Sequence, residues 1–413
     1  MKKCTSILSF LVLLGIASHA QVSYSDPTSN TNTSSKTLFS TDVDDFMDVN
    51  SWQGVSEQTQ KLFAFTGFYS NRLQFGFAKN FNDLYTGLYF NGAFSQLAVT
   101  KGDSGDTLDF GKSNTTGGFD IALLFGKGDL GVKIGGTVAP EVENSETDTE
   151  TTKKDNSVYE LFTSLGYNTE LFGLPAAPYV TVGYYFGKHY TETKTVGIKT
   201  ETYTATNYDT AFIEAGSGFD LGESDGLSRS FSIALADYLR FYPDDLSKVA
   251  GTVVSKQDRT FNTTSLTPKY TIKYAVDDSL SLGLKASLPV SFEIDKEKEA
   301  DKSELTFAIT PNLYTGLQYL ATEKLTLNGG VSVSLNNLFS FVHKTAGDNS
   351  DNTFKIFSDS LWVSLSTGFS YAFRPGVVLD TTYNIISSTA GSYTTSLDSI
   401  WNTSLGLQLS IRL

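Results

Sequence analysis

The sequence predicts an all-β fold, a transmembrane antiparallel up-and-down β-barrel of about 16 strands, with roughly 14 to 18 admitted by the uncertainty of strand boundaries. Three observations predict it. The chain ends on a stretch in which every second residue is apolar, similar stretches from Lys61 onward are joined by connections that are short and long in turn, and aromatic residues recur where strands enter the short connections. Successive side chains of a strand point to opposite faces, so such stretches carry one greasy face and one wet face.

The N-terminus specifies export. Lys2 and Lys3 precede an apolar run from Ile7 to Ile16, and Ser18-His19-Ala20 supplies small residues at the two positions a signal peptidase reads, so residues 1–20 are expected to leave before Gln21. A retained anchor would need about 20 apolar residues. Cys4, the only cysteine, lies in the charged leader and departs with it, which leaves the mature chain without disulfides or thiolate chemistry. The first twenty residues hold two lysines and no acid, so their loss takes the formal charge from −14 to −16. That acidity argues against nucleic acid as a partner, because phosphate binding needs a basic surface. Near-neutral hydropathy would suit a soluble protein, yet barrels hide from hydropathy because every second residue meets water. The 30 Phe, 21 Tyr and 35 Gly, with Ser and Thr throughout, favour strands over helices.

Residues 21–58 are rich in Ser, Thr, Asn and Asp without sustained periodicity, and read as a polar periplasmic segment. Phe39, Phe46, Met47 and Trp52 are its apolar anchors, by which it could plug the barrel mouth or cover the periplasmic rim. Residues 59–413 form the barrel. After Lys61–Tyr69 the hairpins follow in order. Leu73–Lys79 and Leu84–Phe94 are joined at Asn80-Phe81-Asn82-Asp83, and Gly118–Gly126 and Leu130–Val138 at Lys127-Gly128-Asp129. Val158–Tyr167 and Pro178–Lys188 are separated by a longer link containing Pro175. Thr210–Leu221 and Leu227–Arg240 turn at Glu223-Ser224-Asp225-Gly226, Tyr270–Val276 and Leu280–Phe292 at Asp277-Asp278. Leu305–Tyr319 and Leu325–Phe339 turn at Thr322-Glu323-Lys324, Leu361–Phe373 and Val377–Ser387 at Arg374-Pro375-Gly376. Gly, Asp, Asn and Pro clusters between alternating runs are hairpin signals. The other connections are long, polar and charged: Gln96–Thr116, Glu141–Asn156, Thr191–Asn207, Pro243–Thr264, Asp295–Ser303 and Lys344–Thr353.

On the apolar face of each strand descending to a short turn an aromatic residue sits at or beside the last position: Phe77, Phe125, Tyr167, Phe219, Tyr274, Tyr319 and Phe373. Amphipathic rings favour the headgroup level, so these are expected to form the periplasmic-side girdle. The last strand, Ser399–Leu413, sets Trp401, Thr403, Leu405, Leu407, Leu409, Ile411 and Leu413 against Asn402, Ser404, Gly406, Gln408, Ser410 and Arg412. With short turns on one rim and long loops on the other, the chain resembles bacterial outer-membrane β-barrels of the porin-like kind, whose last residue is typically aromatic where this chain has Leu413. The resemblance implies residence in the outer membrane of a diderm bacterium, with membrane lipid and the barrel-assembly machinery as partners.

A barrel of that size is too wide for side chains to fill and encloses an aqueous lumen. By alternation Lys133, Lys273, Lys285 and Arg412 face inward near the periplasmic rim, and Asp120, Glu160, Glu214 and Asp380 face inward from other strands. Either the basic residues form a band that favours anions or carboxylates, or they pair with lumen acids and hold the wall. The expected function is a channel for passive or weakly selective diffusion of small solutes. The alternatives are a surface adhesin or antigen acting through its loops, and a hydrophobic-compound transporter resembling the fatty-acid uptake barrels, whose Asn-Pro-Ala motif is absent. No catalysis, cofactor or metal is expected. Phospholipases of this architecture use Ser and His at the outer rim, whereas His189 and His343 are each followed two residues on by Thr191 and Thr345. Asp42, Asp44, Asp45 and Asp48 lack the Gly and closing Glu of an EF-hand, and no Gly-rich phosphate loop opens a helix.

Overall fold

The computed structural model describes the strands between Leu62 and Arg412; residues 1–61, 391–401 and 413, with short stretches inside several connections, lie outside the described residues. The expected leader (1–20) and polar segment (21–58) fall there, as do Cys4 and His189.

The described strands make an antiparallel sheet that closes on itself. Leu62–Tyr69 pairs with Arg72–Phe81 on one side and with Asn402–Arg412 on the other, from Phe63↔Arg412 to Tyr69↔Gly406. First and last strands therefore meet along a seam, and the unpaired N–H and C=O groups of an open edge are satisfied there. The wall continues through Leu84–Ala93, Phe119–Lys127, Leu130–Ala139, Val158–Tyr167 and Leu174–Gly187 to Glu201–Ser224, each strand beside the next. It returns through Leu227–Val249, Thr252–Ala275, Leu280–Ser287, Asn312–Thr322, Leu325–Asn336, Ser360–Arg374 and Val377–Ala390 to the seam.

The alternation sends most large aliphatic side chains outward and turns small and polar groups inward, with an arc of aromatic rings among them. In Phe119–Lys127, Ile121, Leu123 and Phe125 are exposed while Ala122 and Leu124 are buried; in Val158–Tyr167, Leu161 is 66% exposed and Ser164 1%. Buried polar side chains include Thr181, Thr210 and Ser366, and exposed apolar ones include Leu282, Leu284, Leu313, Leu317, Leu327 and Leu365. This inverts a water-soluble protein. Each such side chain left in water forgoes about 1.5–3 kcal/mol of transfer free energy. Summed over the outer wall, that exceeds the ~5–15 kcal/mol by which a domain is stable, so the wall requires an apolar medium.

Local chemistry sets the short turns. Asp225 and Gly226 both have positive φ, 52° and 74°, as do Phe172 and Gly173, 56° and 78°, the backbone of type I′ hairpins. At the Asp277 turn, Asp277 Oδ1 accepts from Ser279 Oγ and N at 2.7 Å and from Leu280 N at 2.8 Å. The Ser279 hydroxyl first, then these backbone N–H groups, hold the Asp277 carboxyl below the usual carboxylate range.

Two sequence expectations are corrected. The stretches read as long loops are largely strands: Glu141–Glu146 pairs with Glu150–Asp155, that with Tyr190–Thr195, and that in turn with Glu201–Ser224. Pro243–Thr264 belongs to two strands of 23 and 24 residues, Leu227–Val249 and Thr252–Ala275. Such segments are polar on both faces and show no apolar period, yet a backbone ladder needs none. Secondly, proline interrupts two long runs, which split into Leu280–Ser287 with Val290–Glu297, and Lys302–Ile309 with Asn312–Thr322. Proline has no N–H to donate, but its carbonyl still accepts. Leu288 N, Thr310 N and Leu335 N donate to the carbonyls of Pro268, Pro289 and Pro311 at 3.0, 2.9 and 3.0 Å, a diagonal line of prolines across neighbouring strands.

Candidate functional site: the barrel interior

One arc of the interior, from Leu130–Ala139 to Leu227–Val249, is lined by aromatic rings that press against glycines. A Cβ on Gly135 would stand 2.6 Å from Phe162 Cζ, and one on Gly216 2.8 Å from Tyr179 Cε1; one on Gly183 would collide with the rings of Phe212 and Phe162. Glycine is required because only a bare backbone lets a ring approach so closely. Phe212 stacks on Tyr238 at 5.3 Å, and Lys133 Nζ stands 4.7 Å above the Phe162 ring, a cation–π contact. Polar groups interleave with these rings. Tyr179 OH donates to Glu214 Oε1 at 2.6 Å, Thr137 Oγ1 to Glu160 Oε2 at 3.3 Å and Arg240 Nε to Thr210 Oγ1 at 3.2 Å; Ser164 and Thr181 hydroxyls share a bond of 2.7 Å.

The adjoining arc is basic and amidic. Lys273 and Lys269 lie on one face of Thr252–Ala275, and Lys285 pairs with Thr271 between them. Diagonal neighbours in a sheet stand about 7–8 Å apart, so the three lysines root in one patch of wall. Lys285 Nζ lies 5.4 Å above the Tyr314 ring. Beyond it a hydrogen-bonded chain crosses four strands: Gln318 to Asn328 at 3.3 Å, Asn328 to Ser370 at 3.5 Å and Ser370 to Asp380 at 2.5 Å.

The residues singled out by alternation fall as follows. Lys133, Lys273 and Lys285 line the interior within a few residues of the short turns, and Asp380 lies as near that rim, so the charges there are of both signs. Glu160 and Glu214 lie further along their strands. The side chains of Asp120 and Arg412 are outside the described residues. Sequence reasoning passed over Lys269, which the period of Lys273 would have found, and Phe162, Tyr179, Phe212 and Tyr238, whose inward aromatics the same period marks. On the far side of the proline line Asp295 pairs with Glu304, and Glu304 receives Lys344 Nζ at 2.7 Å.

Outside, Phe77, Phe125, Tyr167, Tyr274, Tyr319 and Phe373 are exposed beside the short turns, whereas Phe219 is half-buried in a cleft. At the opposite rim the rings of Phe292, Phe307, Phe339 and Phe354 form a continuous ladder, with centroids 4.9, 5.9 and 4.7 Å apart. His343 Nδ1 is 2.7 Å from Asn352 Oδ1, and the Thr345 hydroxyl is 2.7 Å from that of Ser303. Among the described residues no group of His, Cys, Asp and Glu could hold a metal ion.

A closed wall that is greasy outside and polar inside is the construction of an outer-membrane β-barrel, and this chain is built as one. No family model matches the chain and no curated protein matches it. Among solved structures it is similar to the CymD monoaromatic hydrocarbon channel, with TM-score 0.40, 10% identity, and 96% of this chain and 97% of that one covered. It is also similar to a Pseudomonas aeruginosa FadL homologue, with TM-score 0.42, 11% identity and 88% and 92% covered. CdiB from Escherichia coli matches with TM-score 0.48, 8% identity and 86% and 63% covered. None of these scores reaches 0.5, so the reading of this barrel rests on its own geometry.

Proposed function

We propose that the chain is a passive channel of the bacterial outer membrane, through whose interior small solutes diffuse. The observation that carries the reading is the seam between Leu62–Tyr69 and Asn402–Arg412, which closes a wall whose described outer face is greasy. In this reading residues 1–20 direct export, residues 21–58 lie on the periplasmic side, and the aromatic residues at the short turns sit among periplasmic headgroups. The lumen offers ring faces from Phe162, Phe212 and Tyr179 beside the charges of Lys133 and Glu214, which suits small organic solutes with both an apolar and an ionised part. The basic patch of Lys269, Lys273 and Lys285 favours anions.

The test is reconstitution of the mature protein in planar bilayers and in vesicles. Discrete conductance steps and swelling in small solutes, with swelling falling off as solute size grows, are expected. Lys285→Glu moves the reversal potential across a salt gradient towards cations. Folded, inserted protein that neither conducts nor swells would overturn the channel and transfer the function to the exposed loops.

A further inference from the structure

On the outer wall, at the short-turn rim, Phe172, Leu174, Phe219, Leu221, Phe231 and Tyr270 line an open cleft of about 300 Å³. All six lie on the lipid-facing side, since Phe219 pairs with Phe231 and Phe231 with Tyr270 on the face that carries exposed Ile213 and Tyr274. One wall of the cleft is the hairpin tip, where Phe172 is 93% exposed and holds a φ of 56° that side chains seldom adopt. Directly below, Arg229 pairs with Ile272, one step nearer the turn than Phe231. The bulge between Asp220 and Glu223 brings Leu221 and Gly222 opposite it. Its Nε is buried and has no hydrogen-bond partner among the described residues. A guanidinium whose Nε finds no acceptor among the described residues leaves a place for an anion to supply one.

We infer that this is a binding site for one phospholipid of the periplasmic leaflet, with its phosphate on the Arg229 guanidinium and an acyl chain in the cleft. The order of groups fits: Arg229 stands one same-face step above exposed Tyr274, which pairs with Leu227 where headgroups lie, and the cleft opens from Arg229 along the apolar face. The planar fork of arginine matches phosphate oxygens, and its aliphatic stem can lie on the apolar wall while the head meets the interface. The inference rests on the barrel standing in a membrane, and the experiment separates the two.

Purified protein is incubated in detergent with dipalmitoyl phosphatidylglycerol or with dipalmitoylglycerol, which lacks the phosphate, and bound lipid is counted by native mass spectrometry. Wild type is expected to retain one phosphatidylglycerol and to discriminate against dipalmitoylglycerol. Loss of a charge-assisted contact lowers retention about tenfold in Arg229→Gln, and Arg229→Lys restores part of it. Phe172→Ser lowers retention while keeping the preference for phosphate, and it carries the test if Arg229→Gln does not fold. Equal retention by wild type and Arg229→Gln, equal binding of the two lipids, or displacement by millimolar inorganic phosphate would each overturn the site. Vesicle insertion and conductance, measured on the same proteins, report on the membrane reading alone, since Arg229 faces away from the lumen.

Discussion

The seam strands and the tallest part of the wall belong to the same antiparallel ladder and differ in length. Leu62–Tyr69 and Asn402–Arg412 have 8 and 11 residues, while Glu201–Ser224, Leu227–Val249 and Thr252–Ala275 have 24, 23 and 24. At roughly 3.3 Å per residue the seam strands run about 26–36 Å and the tall ones about 80 Å, whereas a tilted strand needs about 9–11 residues to cross the hydrocarbon. The seam is thus close to the minimum a bilayer demands, and the tall wall far exceeds it. The difference teaches that lipid sets a lower bound on strand length and the backbone ladder sets none. Once two polar segments stand side by side, their N–H and C=O groups continue to pair in water.

The largest expected effect breaks the seam. Leu407→Pro with Leu409→Pro removes two donors from the short strand Asn402–Arg412 and should reduce the compact, heat-modifiable species on cold electrophoresis by more than about tenfold. The same pair at Ser247 and Val249, near the tip of the tall wall, should leave that species at its wild-type level. Equal sensitivity of the two sites would refute the division into essential and surplus wall. A smaller effect sharpens the boundary. Leu284→Arg, on the lower outer face, should cost about 2–4 kcal/mol in denaturant titrations from lipid, and Leu305→Arg, beyond the Phe307 ring, only about 0–1 kcal/mol. Similar costs at both positions would put the membrane boundary elsewhere.

The smallest effect lies in the turns below. Because the folded Asp277 carboxyl titrates below its ordinary value of about 3.9, its contribution is full above that value and is lost as pH falls through the folded one. Asp277→Asn should therefore lower the unfolding midpoint slightly at pH 7, and the difference from wild type should vanish under strong acid. A constant difference would mean that the turn depends on shape and not on charge.

Particular residues mark how far the sequence could be read. Leu325 and Leu327 against Thr326 and Asn328 announce their faces unaided, and the clusters at Asp277-Asp278 and Glu223-Ser224-Asp225-Gly226 announce their turns. Pro243 and the Thr-rich segments around Glu141–Asp155 read as loops because neither face is apolar, although they lie in paired strands. The seats of Phe162 on Gly135 and of Phe212 on Gly183 join residues more than twenty positions apart. Nothing local to either partner announces that meeting. Arg229 likewise reads as one cation near a turn until Leu221, Phe231 and Ile272 are brought around it.

By itself the sequence determined which side of strands such as Leu325–Asn336 is greasy and where turns such as those at Asp225 and Asp277 fall, because alternation and turn chemistry act within a few residues. Only the tertiary structure decided that the ends join, how high each part of the wall rises and which rings meet which glycines. Those follow from register between strands, a relation that exists only once distant segments are paired.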